Sequence, residues 1–385
     1  MTRRRSQDEL DRLAVEAVRL RREEGLSVRD IHEELQRRGE QVGSQRDVRF
    51  LLDRAIKQQL VNIQVTPIPV HPELDDGLAR DLAKATKIRR VLVVKCNLAG
   101  GEEQSAAGAI AGEQVMPDTA LLESLGAAAA ICLAEVLRDD DKIAVGAGRA
   151  VSSTIKALTD MTHGLAVDGL SVTSLGGGML RTPFTPPDGI DLVDADYNAA
   201  QMAIALGVPV AKVKLCYLPA FAPADRCDEL VDLLAAHLRH LDANVLLYGC
   251  GVVDESHYLL RMDDPQMQVI RSQAEQLRKL VQRHRGAVID FCDEFFVAPG
   301  VPDDLLDEVS DIVMALRKAA VRIDPAELAR PPERILVAGG RRKIEALALL
   351  TNSAWTGVRP TTLVTDRSTA KTLVAPRSPQ RCIPR

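Results

Sequence analysis

From residue 89 onward, short apolar and β-branched runs alternate with helical stretches, and few folds satisfy that alternation. The runs fall at 91–95, 143–146, 171–175, 213–218, 245–248, 287–289, 335–338 and 362–365. Between them lie segments of helical period at 120–137, 151–160, 194–206, 226–241, 264–284, 303–318, 341–350 and 367–374. Strands that are apolar throughout, and not only at every second residue, are those covered on both faces. The expected fold class is therefore α/β, a mostly parallel, doubly wound sheet with its ligands beyond the C-terminal strand ends.

The first 65 residues have a different texture. Leu10, Leu13, Ala14, Ala17 and Val18 form one apolar stripe of a first helix, which Gly25 ends. Ser27 caps a second helix that buries Val28, Ile31 and Leu35. Gly39 and Gly43 bound a turn, after which Ser44, with Asp47 at the third position, caps a third helix burying Val48, Leu51, Leu52 and Ala55. Residues 60–65 read as a short strand. Helix, helix, turn, helix and strand is the plan of a winged helix-turn-helix, with a turn longer than the usual three or four residues. On the third helix, Gln45, Arg46, Arg49 and Asp53 lie opposite the core, where Arg and Gln reach base edges or phosphates. A solvated charged face on a dimerisation arm fits the same pattern.

At 385 residues, two units are expected: a helix-turn-helix at 1–65, a proline-bearing linker with a helix at 66–88, an α/β domain at 89–375, and an unstructured tail at 376–385. Residues 1–60 carry 14 Lys/Arg against 12 Asp/Glu, a net +2, and the remainder carries −7. A weakly basic head on an acidic body fits a DNA-binding module on a larger sensor. The charged N-terminus and the short apolar runs, such as 126–136 with its Glu135, predict neither a secretory signal nor a membrane span, and so a cytoplasmic protein. Seven scattered cysteines without a Cys-x-x-Cys pair predict reduced, mostly buried thiols and no metal site. His237 and His240, one turn apart, read as surface residues. No cofactor is expected.

Five loops at strand ends carry glycine or charge. Gly146-Ala147-Gly148-Arg149 leads into a helix bearing Ser152 and Ser153, an arrangement that admits an anion against free N–H groups or a plain tight turn. A third glycine at dinucleotide-fingerprint spacing is absent. Gly176-Gly177-Gly178 precedes Arg181, read as a phosphate donor or as simply exposed. Tyr248-Gly249-Cys250-Gly251 precedes Asp254 and His257, with Asp254 as a helix cap and His257 on that helix's surface. Asp290 follows the run 287–289. Gly339-Gly340-Arg341-Arg342-Lys343 closes the set.

The helical segment 121–137 ahead of 143–146, Gly286-Ala287-Val288-Ile289-Asp290-Phe291-Cys292 with Phe295-Phe296, and 335–343 (ILVAGGRRK) followed by Leu363-Val364-Thr365-Asp366 and Thr369-Ala370 together resemble the SorC family of sugar-responsive regulators. The resemblance spans nearly the whole chain. It implies a sugar-phosphate isomerase/deaminase-like effector domain behind a helix-turn-helix, operator DNA and a phosphorylated sugar or polyol as partners, and a homo-oligomer, dimer or tetramer. It also implies that 146–153 holds the phosphate, that Asp290 accepts bonds from sugar hydroxyls, and that Lys343 contacts a hydroxyl or phosphate. The family loop usually reads Gly-Trp-Gly-Arg/Thr-Thr; here Ala147 and Ala150 stand in place of Trp and Thr, with one hydroxyl fewer. The rival reading is an isomerase, deaminase or lactonase on the same fold, using Asp254 and His257 for acid/base work.

Overall fold

Helices α1 (Gln7–Arg22), α2 (Val28–Arg37) and α3 (Gln45–Lys57) make up the described part of the first of two separately packed units, 1–67 and 68–385. The structure is a computed structural model; it describes residues 6–22, 28–40, 42–57, 72–95, 119–161, 167–176, 194–239, 242–253, 257, 270–352 and 358–375. The expected signals at Gly25, Ser27, 60–65 and 376–385 lie outside them.

In the first unit the predicted stripes meet. Leu13, Ala14, Ala17 and Leu20 of α1 bury against Ile31 and Leu35 of α2 and Val48, Leu51 and Ala55 of α3. Ser44 and Asp47 cap α3 reciprocally: the Ser44 N–H donates to Asp47 Oδ2 at 2.9 Å, and the Asp47 N–H to Ser44 Oγ at 3.4 Å. The long turn is fastened to α2, because His32 Nε2 and Gln36 Nε2 lie 3.1 and 3.2 Å from the Val42 carbonyl oxygen.

The second unit contains ten strands among its described residues: β1 (Arg90–Val94), β2 (Lys142–Val145), β3 (Ser171–Ser174), β4 (Val213–Lys214), β5 (Val245–Tyr248), β6 (Gly251–Val252), β7 (Val288–Phe291), β8 (Glu294–Val297), β9 (Glu333–Val337) and β10 (Thr362–Asp366). Seven of them form one sheet in the order β1-β10-β9-β5-β2-β3-β4, every pairing parallel. Side chains alternate between its faces. Val245 and Leu247 of β5 enter one core, and Leu246 and Tyr248 enter the other. The second of these cores is closed by α4 (Asp76–Thr86) together with helices that follow it in the chain. The helices of this unit are α5 (Thr119–Val136), α6 (Arg149–Met161), α7 (Ala195–Ala205), α8 (Ala224–Arg239), α9 (Arg271–Arg283), α10 (Leu306–Ala319), α11 (Pro325–Leu328), α12 (Ile344–Thr351) and α13 (Arg367–Val374). The core holding Leu246 and Tyr248 includes Leu82 of α4, Leu234 of α8, Leu347 of α12 and Ala370 of α13. The core holding Val245 and Leu247 includes Leu133 of α5, Ile155 of α6 and Met202 of α7.

Two expectations are corrected. The run 287–289 is not in the parallel sheet; it belongs to β7, the centre of an antiparallel sheet β6-β7-β8 that packs on α9 and α10. Consequently Asp290 and Gly251 are strand residues, paired with each other across β7 and β6, and not loop residues of the main sheet. Helix α4, expected as a connector, is built into the second unit: Leu82 is fully buried and Leu74, just before it, bridges to Val94. Finally, α5 is by length and composition long and apolar enough to cross a membrane, although its Leu125, Gly126, Ala128, Ala129, Ala130, Cys132 and Leu133 are buried in the protein core.

Helices α5 and α6 approach each other at backbone distance. A Cβ on Gly126 would lie 2.5 Å from the Ser153 carbonyl oxygen. Neither helix backbone can yield without leaving the sheet. Gly126→Val is expected to lower unfolding free energy by about 1–3 kcal/mol, the usual cost of overpacking, measured by urea denaturation; unchanged stability would refute the close packing.

Candidate functional site

In the main sheet β10, β9, β5 and β2 are consecutive neighbours, so the loops leaving their C-terminal ends lie side by side. Gly146 continues β2 with its N–H donating to the Leu247 carbonyl at 2.8 Å, and a Cβ there would meet Tyr248 Cβ at 3.3 Å. A Cβ on Gly249 would lie 3.7 Å from the carbonyl oxygens of both Ala147 and Val337. Backbone from three strand ends thus converges around Gly249. Gly148 adopts φ 109°, a conformation L side chains rarely take, and turns the chain into α6.

Sequence reasoning missed the side chain that fixes this turn. Asn198, fully buried on α7, donates from Nδ2 to the carbonyls of Gly146 at 2.9 Å and Gly148 at 3.4 Å. Its Oδ1 is buried without a partner. Arg149 is exposed on the first turn of α6 and Ser152 is half-buried there. Ser153 has a different task from the one expected. Its hydroxyl donates to the Leu122 carbonyl at 2.8 Å, tying α6 to α5.

The loop after β9 is held by Asp366, the last residue of β10 and the cap of α13. Its carboxylate accepts from the N–H groups of Gly340 (2.6 Å) and Thr369 (3.0 Å) and from the hydroxyls of Ser368 and Thr369 (both 2.6 Å). Gly340 has φ 91° and starts a 3-10 turn, Arg341–Lys343, on which Lys343 is half-buried. Burial works to raise the Asp366 carboxyl, but the four hydrogen bonds outweigh it and hold the group below its ordinary 3.8.

Asp290 of β7 and Lys343 both act electrostatically on Cys250, between β5 and β6. Burial pushes the Cys250 thiol up to about 11, Lys343 pulls it down and Asp290 raises it further. Asp290 Oδ2 lies 3.1 Å from His257 Nε2, while Oδ1 accepts from the Asp293 N–H at 3.2 Å. Each oxygen keeps a lone pair for a ligand hydroxyl. His257, expected on a helix surface, is half-buried against this carboxylate; Asp254 lies outside the described residues. The β7–β8 turn takes Cys292 and Asp293 through φ 51° and 62° and brings Asp293 beside Gly176, the end of β3, where a Cβ would meet its Oδ2 at 3.2 Å. Gly177 and Arg181 lie outside the described residues. His237, expected on the surface, is half-buried with Nε2 3.0 Å from Thr173 Oγ1. No cluster of metal-ligating side chains occurs among the described residues.

In the first unit Gln45, Arg46 and Arg49 are exposed on α3. Arg12, Arg19, Arg29, Arg37, Arg38 and Arg54 each pair with a glutamate or aspartate of the unit. Among the arginines there whose side chains are described, Arg46 and Arg49 alone form no such pair.

Residues 109–375 match the family model "Sugar-bind: Putative sugar-binding domain". The chain belongs to this family. The expected resemblance to SorC-type proteins is borne out by this sugar-binding match. The SorC-type fold is matched by solved structures. A "Putative Sugar-Binding Domain of Transcriptional Repressor" from Vibrio fischeri overlays with a TM-score of 0.52 at 17% identity, over 78% of this chain and 98% of its own. The "Probable sor Operon Regulator" from Shigella flexneri overlays at 0.50 and 17% identity, over 77% and 98%. The full-length Sorbitol Operon Regulator SorC from Klebsiella pneumoniae aligns over 96% of this chain and 100% of its own at 20% identity, with a TM-score of 0.48. No curated protein sequence gives a match.

The folded Asp366 carboxylate holds its proton less tightly than an unfolded aspartate, so its stabilisation is full above the unfolded value and vanishes as pH falls through the lower folded one. Asp366→Asn is therefore expected to destabilise the chain at pH 7, with the gap to wild type narrowing below pH 3.8. Urea unfolding at both pH values measures it, and a gap independent of pH would contradict the network.

Proposed function

We propose that the chain is a cytoplasmic transcriptional regulator that grips operator DNA through a helix-turn-helix at residues 1–65 and is controlled by a phosphorylated sugar or polyol bound in the domain 89–375. The reading rests on the glycine turns and Lys343 at the C-terminal ends of the parallel strands, with Asp290 of the antiparallel sheet acting on the same Cys250 as Lys343, in a chain of the sugar-binding family. The backbone of 146–149 with Arg149 and Ser152 takes the phosphate at the start of α6. Gly249, Gly251 and Gly340 let the ligand approach the backbone; Asp290 accepts sugar hydroxyls and Lys343 neutralises a phosphate or donates to a hydroxyl. Gly177 and Arg181 are assigned to the same effector. Helix α4, expected within the linker 66–88, belongs to the effector unit.

The effector binds two arrangements of a homo-oligomer, dimer or tetramer, with different affinity and so shifts the affinity for DNA, an effect of about 1–3 kcal/mol. Ile204, Val210 and Tyr217, exposed to 70%, 89% and 74%, offer apolar surface for such an assembly. The rival enzyme reading has the His257–Asp290 pair as its acid/base candidate; sugar-phosphate turnover abolished by His257→Ala would favour it.

Two measurements test the proposal. In a thermal-shift screen a phosphorylated sugar or polyol at 100 times its Kd is expected to stabilise the protein by about 2.7 kcal/mol, an effect that Lys343→Ala and Asp290→Ala reduce and that the unphosphorylated compound does not give. In anisotropy titrations against upstream duplex, Arg46→Ala and Arg49→Ala are expected to weaken binding, each lowering the log–log salt slope by about 0.9 if it neutralises one phosphate. No ligand-dependent shift together with no specific DNA binding at moderate salt would overturn the reading.

A further inference from the structure

Helix α3 presents one more side chain on the face that carries Arg46 and Arg49. Successive helical residues are rotated by about 100°, so Phe50 stands about 40° from Arg46 around the axis, and the buried Val48, Leu51 and Ala55 lie on the opposite side. Phe50 is 55% exposed. An isolated exposed apolar residue is ordinary, but this one stands beside Arg46, with Arg49 about 100° away around the axis on the same side as Arg46, and these two are the arginines that form no ion pair among the described residues of the unit. A surface that pairs six other described arginines internally and leaves two cations on the half of the helix that carries a bare aromatic ring suits a polyanion that also carries an apolar group. Duplex DNA has one in the major groove, the 5-methyl of thymine, and phenylalanine is among the side chains that contact it. A second protein copy would suit the ring but not the two guanidinium groups on this half of the helix, which form no ion pair among the described residues.

We propose that Phe50 is a specificity-determining residue that reads the 5-methyl group of thymine in the operator. The inference rests on the DNA-binding reading above and names which base feature that face recognises. The ring covers the methyl and removes it from water, while Arg46 and Arg49 hold the helix in the groove. No hydrogen bond is involved, so the discrimination is between thymine and any base lacking the methyl.

The test uses the full chain. A preferred duplex is selected from a randomised pool with wild-type protein, each thymine is replaced in turn by deoxyuridine, and Kd is measured by fluorescence anisotropy at fixed salt. At one or two positions, loss of the methyl is expected to weaken wild type about fourfold, the effect of one buried carbon. Phe50→Ala is expected to bind the thymine and uracil duplexes equally at those positions, and Phe50→Leu to keep part of the preference. Arg49→Ala is expected to weaken both duplexes by the same factor and leave the methyl preference intact, which separates loss of DNA binding from loss of methyl reading. Wild type indifferent to every thymine-to-uracil change, or a preference that survives in Phe50→Ala, overturns the assignment. So does a Phe50→Ala variant whose only change is its oligomeric state in sedimentation, since the ring then belongs to a contact between copies. If wild type selects no duplex, both this inference and the DNA-binding reading fall; if it selects one but Phe50 has no effect on the methyl preference, only this inference does.

Discussion

Two parallel strands cannot be joined by a two-residue turn; the chain must return along the face of the sheet before the next strand begins. That constraint organises the second unit. Seven strands pointing the same way need six crossovers, and the crossovers supply helices that cover both faces. Covered on both faces, the strands have to be apolar throughout, as Val245-Leu246-Leu247-Tyr248 are. Because all seven end at the same edge, polar chemistry that the interior does not tolerate collects there, in the backbone turns at Gly146–Gly148, Gly249 and Gly340.

Those elements whose pattern is local were readable from the sequence. The stripes of α1, α2 and α3 come from spacing alone, and the reciprocal Ser44–Asp47 cap is set by two residues three apart. The main strands came from unbroken apolar runs. What escaped depended on distant partners. The run around Val288 looks like a parallel strand, since periodicity does not say what pairs with it, and β6 and β8 that flank it are only two and four residues long. Asn198 is one polar residue in an Ala-rich helix; only the arrival of the 146–148 turn, some fifty residues away, gives its amide a purpose. Likewise Ser153 sits in a loop-to-helix motif that favours anions, yet its hydroxyl is captured by a carbonyl of the preceding helix. Of the candidate site, the glycine turns and Lys343 were legible as strand-end chemistry and Asp290 was read onto the wrong sheet, whereas Asn198 and Asp366, which clamp the glycine turns, were not read in that role.

The first unit manages charge differently from the second. Its arginines and acids are nearly balanced in number, and most are matched across or along the helices, as with Arg54 and Asp11 or Arg38 and Glu16. Exposed pairs of this kind add little stability, typically below about 1 kcal/mol each. Among the described residues, their effect is to cancel cations of the unit other than Arg46 and Arg49 of α3. A net charge of only +2 over residues 1–60 is therefore compatible with a focused positive face.

The elevated thiols have a consequence for how the protein meets oxidants. The thiolate, and not the thiol, is the form that attacks peroxides, alkylators and metals. With Cys250 titrating at about 11, about one molecule in ten thousand carries that anion at neutral pH. Cys292, in the β7–β8 turn, is likewise pushed up by burial and by Asp293 and Asp290. Both sulfurs are therefore held as protonated thiols beside carboxylates that repel their anions, a form that alkylators and peroxides attack more slowly than an ionised cysteine.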